Sequence, residues 1–115
     1  MTKLEIINLQ HQSIHDVILK IEDVIMNREN SSFNTHKLIE DLLNSFKYHF
    51  YEEELLMSPS DFNKKHMIEH YKLVNFLQNI LKKEHIEVES ILFLKKWEIE
   101  HFEHFDKAFL NEVDF

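Results

Sequence analysis

The sequence predicts an all-α protein, an antiparallel up-down-up-down four-helix bundle, and three observations carry that expectation. The 115 residues include no Gly and a single Pro, so tight turns and left-handed caps are scarce and long helices are favoured over sheets. Apolar residues recur at three- and four-residue spacing in four separate stretches. The polar connections between those stretches are short, which makes successive helices antiparallel neighbours.

The first stretch carries an apolar stripe of Leu4, Ile7, Ile14, Ile18, Ile21 and Ile25, with His11 set into the same seam. The polar run from Asn27 to Asn34 interrupts it with helix stop and start residues. A second helix is expected over about Asn34 to Met57, where Ile39, Leu42, Phe46, His49, Glu53 and Leu56 follow one face. Ser58-Pro59-Ser60-Asp61 then marks a turn, with Ser60 or Asp61 capping the third helix. That helix places His66 and His70 four residues apart on the stripe continued by Leu73, Leu77 and Ile80. Lys82 to Ser90, including His85, reads as a polar connection. The fourth helix is expected from about Ile91 to Leu110, with Ile91, Leu94, His101, Phe105 and Ala108 inward and Trp97 one turn before His101.

A formal net charge of −8 argues against a nucleic-acid binder, which needs clustered Lys and Arg. The chain has no Cys, so disulfides, thiolate metal sites and thiol catalysis are ruled out. MTKLEIINLQ carries no apolar signal core, and no stretch approaches a membrane span, so a soluble cytoplasmic protein without a membrane partner is expected.

His11, His49, Glu53, His66 and His70 are all candidate metal ligands, as is His101. His49 with Glu53, and His66 with His70, each present two donors one turn apart on a helix face. A Glu on a buried stripe is costly unless it is paired or bound to a cation. In an antiparallel bundle the early His11 is level with the late His49, and the early His66 with the later His101, so donors from all four helices can meet at one height. Asp106 is different. It lies five residues after His101, about 140° around an α-helix, at the edge of the core face, and periodicity alone does not select it.

Together these residues resemble the hemerythrin family of non-heme diiron four-helix bundles. The matching strings are Gln10-His11-Gln12-Ser13-Ile14, HFYEEELLM from His49 to Met57, the pair His66 and His70, and Trp97 followed by His101-Phe102 and Asp106. Asn8 departs from the Asp common two residues before the Gln-His pair in that family. The resemblance spans nearly the whole chain, and a length of 115 residues is most economically one domain, residues 1–115. The resemblance implies two iron ions (Fe2+/Fe3+) joined by an oxo or hydroxo bridge. His66, His70 and His101 would hold one, His11 and His49 the other, and Glu53 and Asp106 would bridge them.

The function implied is reversible dioxygen binding for storage, delivery or buffering, without catalysis, by a monomer or weak oligomer. Histidine-rich, carboxylate-poor ligation leaves the pair about one positive charge in surplus, which disfavours ferric iron compared with a glutamate-rich site. The ferritin-like pattern wants two Glu-x-x-His motifs, and here only Glu98 with His101 forms one. Phe46, Phe50, Trp97, Phe105 and Leu73 or Leu77 are the candidates for a dry oxygen pocket. The alternative is a diiron enzyme or stress protein that handles peroxide, nitric oxide or iron. His15, His36, His85 and His104 carry no assigned role.

Overall fold

A computed structural model describes residues 3–26 and 32–109. Among these residues all regular structure is helical, with helices α1 (Lys3–Met26), α2 (Ser32–Glu54), α3 (Asp61–Leu81) and α4 (Val88–His101), and with no strand. A π-helical turn (Phe102–Asp106) extends α4 and leads into a last helical turn over residues 107–109. The Leu4 side chain, most of the first connection and Leu110 lie outside what is described.

The four stripes meet in one core. Ile14, Ile18 and Ile21 of α1, Ile39, Leu42 and Phe46 of α2, Leu73, Leu77 and Ile80 of α3, and Ile91 and Leu94 of α4 are all buried in one cluster. α1 packs against α2 and α4, and α2 against α3. The molecule measures 46 × 28 × 20 Å. Among the described residues no helix is long and apolar enough to cross a membrane.

Local chemistry sets the boundaries. Ser60 caps α3, its hydroxyl accepting from the Asn63 N–H at 3.0 Å, while Asp61 sits inside the first turn near the positive end of the helix. α2 ends at Glu54, three residues before the expected Met57. Its final amides tighten to i−3 carbonyls, Leu56 to Glu53 and Met57 to Glu54, ahead of Pro59, which disfavours helix in the residue before it. Leu56 therefore lies in the turn, only half-buried.

The larger departure is the π turn. The Lys107 N–H bonds to the Phe102 carbonyl, five residues back, which accommodates one more residue than an α turn. Everything beyond it shifts by one position around the axis. Ala108, expected in the core, is exposed, and Phe109 takes its place fully buried. The same shift turns Asp106 from the edge of the core face to its centre, where it is buried.

Candidate metal centre

Six polar side chains are buried where the four helices converge: His49, Glu53, His66, His70, His101 and Asp106. His11, 18% exposed at its side chain, joins them from α1. The expected levels hold in space, with the His11 and His49 rings 4.3 Å apart and those of His66 and His101 4.8 Å apart.

The two carboxylates organise the group. Glu53 turns Oε1 toward His66 Nε2 (3.2 Å) and His70 Nε2 (3.1 Å), and Oε2 toward His49 Nε2 (3.3 Å) and His11 Nε2 (3.8 Å). Asp106 turns Oδ1 toward His66 Nε2 (2.8 Å) and His101 Nε2 (3.1 Å), and Oδ2 toward His11 Nε2 (3.2 Å). The donors thus form two sets. One comprises Glu53, His66, His70, His101 and Asp106, the other His11, His49, Glu53 and Asp106, and within each set the ligand atoms lie within 4.8 Å of one another. Each carboxylate offers one oxygen to each set.

His66 Nε2 and Asp106 Oδ1, 2.8 Å apart, can share a hydrogen bond, but the contacts around Glu53 are poor as hydrogen bonds and place their atoms where a metal ion could be held. His66 Nε2 and His101 Nε2 face each other at 3.1 Å, where one proton at most can sit between two lone pairs. Both Glu53 oxygens and the Nε2 atoms of His49 and His70 are buried without a directed hydrogen bond among the described residues. Buried polar atoms are normally satisfied, so a cluster of unsatisfied ones aimed at common points fits a cation. Imidazole and carboxylate donors without thiolate suit iron among several divalent metals.

The electrostatics agree. Burial disfavours the charge of His11, yet Asp106 and Glu53 outweigh it and raise its pKa to about 9. His66 is likewise raised to about 9 by Asp106 and Glu53 against its burial. Burial would raise both carboxyls, but the surrounding imidazoles hold them well below the usual carboxylate range: His11, His49, His66 and His70 for Glu53, and His101, His11 and His66 for Asp106. Burial lowers His101, against the pull of Asp106. At neutral pH two protonated imidazoles therefore balance two carboxylates, a neutralisation that a divalent cation can take over.

Outer contacts fix the rings. His49 Nδ1 donates to Gln10 Oε1 at 2.9 Å, which leaves Nε2 as the inward lone pair when the ring is neutral. His70 Nδ1 lies 3.4 Å from Glu54 Oε2 and points the same way. Phe50 stacks on His70 (3.7 Å, 6°), Trp97 on His101 (4.3 Å, 11°), and Phe105 on His66 and His101. Periodicity passes over Gln10 and Glu54. Both fall inside the strings that carry the family resemblance, Gln10 beside His11 and Glu54 beside Glu53, but spacing gives neither a role.

A cavity of about 280 Å³ reaches the cluster, lined by Phe46, Phe50, Trp97, Ile14 and Phe102 beside His11, His49, His101 and Asp106. Of the expected pocket residues, Phe46, Phe50 and Trp97 lie on its wall. Leu73 and Leu77 are buried in the apolar core without lining it, and Phe105 packs behind the His66 and His101 rings between Phe62 and the cluster. His15 pairs with Glu98, His36 hydrogen-bonds the Lys83 carbonyl, and His85 and His104 are exposed. A scan of protein-family models found no match to this chain, and searches of curated proteins and of solved structures found no significant one.

Proposed function

We propose that the protein binds dioxygen reversibly at a pair of iron ions held in an up-down-up-down four-helix bundle. The observation that carries this reading is the shared use of both carboxylates, each turning one oxygen to the imidazoles of either donor set. His66, His70 and His101 would hold one ion, His11 and His49 the other, with Glu53 and Asp106 between them. Such a pair, when bound, supplies two electrons that can be lent to dioxygen and recovered on its release.

The chain's own residues do the rest. The unequal sets, three imidazoles against two, leave the His11–His49 side one donor short, and the cavity is lined by both of those imidazoles, against only His101 of the other three. Gln10 and Glu54 hold His49 and His70 with Nε2 inward. Phe46, Phe50 and Trp97 give the cavity an apolar wall that excludes water and slows loss of electrons to solvent. Histidine-rich ligation with only two carboxylates favours release over onward oxidation.

The test is a visible spectrum of the iron-loaded chain, taken anaerobically, after aeration and after purging. A charge-transfer band that forms and reverses is the expected result. Irreversible bleaching, or steady turnover of peroxide, would replace carriage with an enzymatic role.

A further inference from the structure

The cavity has a polar mouth as well as an apolar wall. Asn8, Gln12, His15 and Glu98 line it beside the aromatic residues, and His15 and Glu98 are the titratable lining residues that belong to neither donor set. They meet across the gap between α1 and α4, His15 Nδ1 lying 3.1 Å from Glu98 Oε2 and 3.2 Å from Oε1. Their side chains are 41% and 19% exposed, so both are partly buried and both still reach solvent. Glu98 is the carboxylate of the chain's Glu-x-x-His motif. It turns to His15 rather than to the ligand cluster. Further along the same seam, Lys95 Nζ pairs with Glu22 Oε2 at 2.8 Å, and neither residue lines the cavity.

We propose that the His15–Glu98 pair is the gate of this cavity, closing the α1–α4 seam over its mouth and governing which small solutes reach the side chains within. The inference deepens the dioxygen reading and rests on it only for what the gate would admit in use; the closure itself is a property of the two helices.

Trp97 is the sole tryptophan, lines the cavity and stacks on His101, so in the chelated, metal-free protein its fluorescence reports access to the interior. The experiment is acrylamide quenching of Trp97 in the whole chain, in His15→Ala, in the milder Glu98→Gln, and in Lys95→Ala as a control on the same seam. The quenching constant should rise about two- to fivefold in the first two variants, the factor by which losing one half-exposed ion pair shifts an open–closed balance, and stay at the parent value in the control. The exchange His15→Glu with Glu98→His, which rebuilds the pair in reverse, should bring quenching back down. Unchanged quenching in both gate variants overturns the proposal. So does an equal rise in Lys95→Ala, which would mean a generally loosened seam. A failed iron spectrum beside the predicted quenching pattern would overturn the dioxygen reading and leave the gate standing.

Discussion

The π turn between His101 and Asp106 makes a demand on chain length that can be tested by changing it one residue at a time. His104 is exposed and sits mid-turn, so it is the residue to delete or to follow with an inserted Ala. At about 100° per residue, deletion puts the aspartate four positions from His101, roughly 40° off its direction, and Phe109 seven positions away, roughly 20° off. Both stay inward on an ordinary α-helix. Insertion puts them six and nine positions away if the segment reverts to α-helix, roughly 240° and 180° around, facing solvent. Phe109 is fully buried, so its expulsion should cost about 3–5 kcal/mol, the range for emptying a phenylalanine site. Asp106 belongs to both donor sets, so its expulsion should weaken both together. Urea unfolding of the chelated variants and cobalt(II) titration followed by visible absorption give the two readouts. The deletion should retain binding and near-parental stability, while the insertion loses both. An insertion variant that unfolds and binds cobalt like the parent would refute the argument that the turn exists to aim Asp106 and Phe109.

Gln10→Leu removes the acceptor that holds the His49 ring while keeping side-chain bulk, and should lower metal affinity about 10–100-fold with little effect on helicity. Competition against a chelator of known affinity measures it, and an unchanged constant would deny Gln10 that role. The chelated protein should also show a two-sided pH dependence. His11 and His66 are raised from 6.5 to about 9 in the folded chain, so their contribution is complete below about 6.5 and is lost as pH climbs through 9. Glu53 and Asp106 are depressed, so theirs is present above the usual carboxylate range and is lost as pH falls below it. Melting temperature should therefore peak between about pH 5 and 6.5 and fall on both sides, and a flat profile from about pH 6 to 9.5 would count against this charge pattern.

Much of this was legible in the sequence because helical periodicity is a strong signal when Gly and Pro are nearly absent. The stripes from Ile7 to Ile25, Ile39 to Phe46, Leu73 to Ile80 and Ile91 to Leu94 are all buried. His49 with Glu53 and His66 with His70 were legible too, since four-residue spacing needs only an α-helix to put both donors on one side. Asp106 was not, because a fixed period cannot anticipate a local change of period. Only family resemblance pointed to it, and the same change of period misdirected the expectation from Phe109 to Ala108. The apolar stripe runs on to Leu56, but Pro59 disfavours helix just before it and α2 stops at Glu54. Gln10 and Glu54 went without a role because a residue that holds another's ring leaves no spacing of its own. The His15–Glu98 pair joins residues 83 positions apart, beyond any local pattern.

Iron stoichiometry decides whether the two donor sets work as one centre. After chelation and anoxic reloading, iron per polypeptide should be two in the parent chain, and Glu53→Gln should lose both ions together because Glu53 turns one oxygen to each donor set. A parent chain that holds one iron or none, or a Glu53→Gln variant that keeps its full complement, would contradict the shared-carboxylate centre on which the functional reading stands.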